Sequence, residues 1–171
     1  MTVNTVYLGI LERLANGEIL IFDGATGTYL QKHGLEPGGS PELMNADNPD
    51  VIQQMAGHYF EAGSDIVLTN SFGGNRFMLE RYGAGERLAE LNKLSAEHAK
   101  AVAPDGKYVA GSIGPTGEFI EPLGDVTEDE MYDTFSEMSE AFESGGADAV
   151  MIETQLSLDE AMIAIRAAKE N

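Results

Sequence analysis

The chain has 171 residues, enough for one domain or part of a larger one, and carries 29 acidic against 10 basic side chains, a net charge of −19. That balance argues against nucleic acid and against an anionic membrane surface as partners. The absence of cysteine excludes disulfides, thiolate catalysis and any cysteine-ligated metal within this chain.

No run approaches the roughly 20 apolar residues of a membrane span. The opening TVNTVYLGILERLANGEIL lacks the basic start of a signal peptide, so a cytoplasmic protein is expected. A first helix is predicted over Val6 to Ala15, placed to plug the bottom of a barrel. Four short apolar runs without alternation follow, at Glu18–Phe22, Asp65–Thr69, Tyr108–Gly111 and Ala147–Ile152. Such runs read as parallel strands covered on both faces.

Each strand leads into a polar or glycine-bearing loop and then a helical pattern. The first enters Asp23-Gly24-Ala25-Thr26-Gly27-Thr28. Asn48 before Pro49 is a cap signal for a helix through about Ala62. The second strand enters Thr69-Asn70-Ser71-Phe72-Gly73-Gly74, and a helix with Leu88, Leu91 and Leu94 on one face is predicted over Glu86 to Ala103. The third enters Gly111-Ser112-Ile113-Gly114-Pro115. Thr127 with Glu130, and Ser157 with Glu160, have capping-box spacing for helices to about Ser144 and Glu170. The stretch FEAGSDIVLTN (60–70) is echoed by FESGGADAVMIET (142–154). Both copies close a helix with glycine and set an aspartate just before a strand, a repeated αβ corner.

A helix followed by four βα units fits either a doubly wound sheet or a (β/α)8 barrel. The polar residues cluster at the strands' C-terminal ends, where barrels build their sites, and this favours the barrel. The chain supplies four of the eight units.

Asp23 and Glu153 end the first and fourth strands. If they share one mouth they make a negative floor suited to an ammonium group; otherwise each satisfies nearby backbone N–H groups. The Gly24–Thr28 loop allows close backbone approach to a carboxylate or phosphate, yet it is neither a Walker loop nor G-x-G-x-x-G. Thr69, Asn70 and Ser71 beside Phe72 suit a small amphiphilic ligand or, equally, turn chemistry. His33, His58 and His98 are far apart in the sequence and in no ligand spacing, so no metal site is assigned to this chain. Tyr29, Tyr59, Tyr82 and Phe72 are candidates for an aromatic wall or for core. No nucleophile–base pair is visible, and no catalytic residue is assigned.

Taken together and in order, DGATGT, PELMNADNPDVI, AGSDIVLTNSFGGNR, ELNKLSAEHAKAVA, VAGSIGPTGEFIEPLG and GGADAVMIET resemble the homocysteine S-methyltransferase family, from about residue 6 to 170. That family includes betaine–homocysteine methyltransferases and the homocysteine domain of cobalamin-dependent methionine synthase. The resemblance implies a (β/α)8 barrel that moves a methyl group to the thiol of homocysteine, giving methionine. It implies a zinc ion, held by cysteines of the barrel's second half, that activates the thiol. It also implies that Asp23, Gly24 and Glu153 receive the amino-acid end of homocysteine and that Thr69, Asn70 and Phe72 shape the pocket. Betaine-type enzymes carry tryptophan where Met44 stands, and this chain has no tryptophan. The donor therefore stays open among betaine, a methylated sulfur compound, and methyl-cobalamin or folate chemistry on a partner domain.

The expectation is a partial domain, residues 1–171, that stops before the zinc-ligand cysteines and does not transfer methyl groups alone. The alternative is a half-barrel binding or assembly subunit that pairs with itself or with a separate second half through its exposed strand edges.

Overall fold

The computed structural model describes residues 8–171; Val6 and Tyr7, the start of the first predicted helix, lie outside the described residues. That helix, α1, runs Ile10–Ala15. It is followed by two short helices, α2 (Gly27–Lys32) and α3 (Met44–Asp47), then α4 (Pro49–Glu61), β1 (Ile66–Leu68) and α5 (Arg76–Glu80). A 3-10 turn, Gly85–Arg87, opens α6 (Leu88–Ala101). β2 (Tyr108–Ile113), α7 (Glu128–Ser144), β3 (Ala149–Ile152) and α8 (Leu158–Glu170) complete the order.

The three strands form a parallel sheet in the order β1-β2-β3, with Ile66 opposite Tyr108 and Ala110 opposite Ala149. Side-chain alternation gives the sheet two apolar faces. On one, Val67 and Val109 meet Ala56 and Phe60 of α4 and Ala99 of α6, while Ile113, Val150 and Ile152 meet Phe135, Met138 and Phe142 of α7. On the other, Ile66, Tyr108, Ala110, Ala149 and Met151 gather with Leu20 and with Ile10 of α1. Phe135, Phe142, Met131 and Met138 are fully buried, at roughly 1.5–3 kcal/mol each. Exposed helix pairs such as Arg87–Glu90 and Lys93–Glu97 contribute about 0–1 kcal/mol each, so packing governs this layer.

The predicted strand Glu18–Phe22 is not a strand. Phe22 makes a single parallel bridge to Ile66. Ile21 accepts from the amides of Asp65 and Ile66, but its own N–H donates to the Asp65 side chain rather than to a carbonyl. The Asp23 amide donates to the Ile66 carbonyl, and the segment's described backbone bonds to β1 stop there, too few for a strand. β1 is one residue shorter at each end than its predicted span, Asp65 serving the corner and Thr69 beginning the loop. β2 is longer than predicted, since Ser112 and Ile113 pair with Met151 and Ile152.

The repeated corner has a shared geometry. The Asp65 amide donates to the Ile21 carbonyl and the Asp65 Oδ2 takes the Ile21 N–H. The Asp148 amide donates to the Val109 carbonyl and the Asp148 Oδ2 takes the Val109 N–H. In each copy a glycine with positive φ, Gly63 (111°) or Gly146 (84°), releases the helix. Donation by the Ile21 amide, then by Lys107 and Arg13, holds the Asp65 carboxyl down at about 2. Arg13 thereby fastens α1 to the N-terminal end of the sheet, and the Tyr108 hydroxyl donates to the Leu8 carbonyl there.

The capping readings divide. Thr127 and Glu130 form the reciprocal box at α7. Asn48 makes no side-chain cap bond at α4. Ser157 accepts from Asp159 and Glu160 amides, but the Glu160 side chain does not return to the cap. It is buried and accepts instead from the amide and hydroxyl of Thr116, both at 2.7 Å, which pins the loop after β2 onto α8.

Among the described residues no helix is long and apolar enough to cross a membrane.

Candidate functional site

The loops after Phe22, β1, β2 and β3 meet at one end of the sheet. They surround a cavity of about 440 Å³ lined by Gly24, Thr69, Asn70, Phe72, Ser112 and Glu153, with Glu42, Met78 and Tyr82 completing the wall. Five of the six candidate site residues therefore share one cavity. Asp23 is not among the lining residues. It stands half-buried beside Gly24, and its Oδ2 accepts the Leu68 N–H at 3.0 Å.

Burial is the first cause of the Asp23 carboxyl being pushed up to about 6. The Leu68 amide works against that shift, and the negative charge of Glu153 adds to it. A cation beside Asp23 would offset the cost of burying its charged form. Glu153 lies past the end of β3, where its N–H donates to the Ile113 carbonyl and its Oε1 accepts the Ser112 hydroxyl at 2.7 Å. Directly after it, Thr154 takes a left-handed backbone with φ 58°, rare for a β-branched residue and a form of strain that gathers at sites.

Thr69 and Asn70 line the cavity with side chains already engaged. The Thr69 hydroxyl accepts the Ser112 amide and lies 2.6 Å from the Ser71 hydroxyl. The Asn70 amide donates to the Pro41 carbonyl and to Asn45 Oδ1. Phe72 is 41% exposed, and its carbonyl accepts the Gly114 N–H. A Cβ at position 114 would fall 2.5 Å from that carbonyl and 2.8 Å from the ring, so glycine is what lets the two loops close on one another. Gly24 lies against Tyr59, whose hydroxyl donates to the Ala25 carbonyl. Of the aromatic candidates, Phe72 and Tyr82 line the cavity, Tyr59 braces its loop, and Tyr29 pairs with His33 and His58.

Glu42 is a site residue that sequence reasoning missed. It is 5% exposed and lines the cavity, and it accepts from the Gly73 amide and the Ser40 hydroxyl. Nothing in its spacing marks it; the one signal is a carboxylate set between Pro41 and the apolar Leu43-Met44. Ser112 was visible as a strand-end polar residue but carried no role. The lining contains two carboxylates and no lysine or arginine, so the cavity favours a small cation with an apolar arm.

The chain matches the family model described as Homocysteine S-methyltransferase over residues 20–171. It belongs to the homocysteine S-methyltransferase family. It is 38% identical over 159 residues to the methionine synthase of Mycobacterium leprae (strain TN), covering 85% of this chain and 13% of that protein. It is 37% identical over 150 residues to the methionine synthase of Mycobacterium tuberculosis (strain ATCC 25618 / H37Rv), covering 80% of this chain and 12% of that one. The chain thus spans about an eighth of the length of these curated relatives. In structure it is similar to the homocysteine methyltransferase MmuM from Escherichia coli. The oxidized form gives a TM-score of 0.79 at 23% identity, covering 94% of this chain and 61% of MmuM. The metallated form gives 0.78 at 22%, covering 94% and 62%. At that identity the likeness shows the fold.

The zinc implied by the family does not fit the residues present. The chain has no cysteine, and among the described residues no group of three histidine, cysteine or acidic side chains could hold a metal ion.

Proposed function

We propose that this chain forms the amino-acid-binding side of a homocysteine S-methyltransferase site. Asp23 and Glu153 receive the ammonium group, the Gly24–Gly27 backbone meets the carboxylate, and Phe72, Met78 and Tyr82 flank the thiol arm. The observation that carries this reading is the cavity itself: Glu42 and Glu153 line it with no basic side chain to neutralise them, and Asp23 stands beside its Gly24 wall. At neutral pH Asp23 is mostly ionised, so the bare site holds unfavourable charge that an ammonium group removes. The methyl donor, betaine, a methylated sulfur compound or methyl-cobalamin on another domain, approaches from outside this constellation. Since this chain offers no thiolate zinc ligands, it binds the acceptor and does not by itself transfer the methyl group.

Calorimetric titration with L-homocysteine and with its des-amino analogue, γ-mercaptobutyrate, tests the reading. Preference for the amino acid is the expected result, and equal binding of the two contradicts it.

A second reading concerns assembly. The sheet is open, and Leu156, Leu158, Met162 and Ile165 lie exposed after β3 and along α8. In this reading the chain is half of a barrel, completed by further units or a second copy. Sedimentation that stays monomeric up to high concentration would count against self-pairing.

A further inference from the structure

We infer that Ser112 is the positioning residue that aims the Glu153 carboxylate at the substrate ammonium; the inference rests on the reading of the site given above. Ser112 sits on the central strand, and its pairing partner is Met151. Glu153, two residues on, shares that face. All three polar groups of Ser112 are committed. Its amide donates to Thr69 Oγ1 at 3.0 Å, its carbonyl accepts the Ser71 hydroxyl at 2.9 Å, and its own hydroxyl donates to Glu153 Oε1 at 2.7 Å.

Two of these bonds anchor Ser112 to the end of β1, and the third reaches past the end of β3. The Thr69 and Ser71 hydroxyls, 2.6 Å apart, close the anchor into a ring. Ser112 is 2% exposed, Thr69 2% and Ser71 1%, so water does not compete for these groups and the bond to the charged oxygen is at the strong end of its class. Glu153 needs such a guide. It is only partly buried, its side chain has several rotatable bonds, and its backbone is followed at once by the left-handed Thr154. With Oε1 held, the Glu153 carboxylate is fixed where it lines the cavity, and the side-chain entropy of ordering it is spent before the ligand arrives.

The test measures the affinities of L-homocysteine and γ-mercaptobutyrate on the wild-type chain and on Ser112→Ala, Ser112→Thr and Glu153→Gln, with melting curves for each. Loss of one hydrogen bond to a charged group predicts about a tenfold fall in L-homocysteine affinity for Ser112→Ala. The des-amino ligand should bind unchanged, so the preference drops toward that of Glu153→Gln, and Ser112→Thr restores it. If Ser112→Ala does not fold, Ser112→Cys, a similar shape with a weaker donor, is expected to lower the preference severalfold. An equal loss for both ligands, or a preference untouched in Ser112→Ala or Ser112→Cys, overturns the assignment. A wild-type chain without any preference overturns the reading of Glu153 and this inference with it.

Discussion

The Asp23 carboxylate holds the Leu68 backbone amide at 3.0 Å and so ties the residue that opens the Gly24–Thr28 loop to the last residue of β1. One side chain therefore serves both the fold, by satisfying a strand-end N–H, and the charge of the cavity beside it.

That double duty has a pH signature in stability. The folded Asp23 carboxyl is raised from 3.8 to about 6 by burial, against the Leu68 bond. Between those values the folded state binds more protons than the unfolded one, so this contribution is fully present below about 4 and is lost as pH rises through about 6. Discounted for partial exposure, the loss is about 1–2 kcal/mol. Urea denaturation across this range should show the decline in the wild type and a flatter profile in Asp23→Asn.

Ligand binding should run the other way. An ammonium ligand prefers the ionised acid, so L-homocysteine affinity should climb between about pH 5 and 7 as Asp23 loses its proton. The rise should be absent in Asp23→Asn. A wild-type affinity that is flat through this interval would separate Asp23 from ammonium recognition.

The corner aspartates are predicted to matter through an amide rather than through charge. Asp148→Ala leaves the Val109 N–H, at a fully buried residue, without its acceptor, at a cost of about 1–3 kcal/mol. Asp148→Asn keeps an acceptor oxygen and loses chiefly the partly exposed Lys100 pair, worth about 0–1 kcal/mol. Chemical denaturation of the two variants should rank them in that order, and equal losses would mean that the ion pair governs the corner.

At Gly111 the sheet and α7 pack closely: a Cβ there would lie 2.4 Å from the Phe142 ring. Since Phe142 is itself fully buried, Gly111→Ala should destabilise by about 1–3 kcal/mol through overpacking. A melting temperature unchanged from wild type would show that the ring can withdraw.

Much of this fold is legible in the sequence. The corner repeat was legible because its glycines and aspartates do their work locally, within a few residues of where they stand, and the Thr127–Glu130 box for the same reason. Glu18–Phe22 misled because an apolar run reports burial or strand propensity but not how many backbone partners it meets; among the described residues it bonds to β1 through the Ile21 carbonyl and the Asp23 amide, with one bridge at Phe22. Ser157 and Glu160 have the spacing of a box, but Thr116 offers Glu160 two buried donors that the cap does not. Strand-end position pointed to Thr69, Asn70 and Glu153, and the family resemblance to Gly24 and Phe72, all of which line the cavity. Glu42 and the role of Ser112 were hidden because both act through partners on other loops, and no spacing along the chain encodes those contacts.

The most direct measurement is a crystal structure of the chain with L-homocysteine bound. The account predicts the ammonium nitrogen between the Asp23 and Glu153 carboxylates, within hydrogen-bond reach of Glu153, with the sulfur directed past Phe72. An amino acid bound with its carboxylate at that end, or bound away from this cavity, would contradict it.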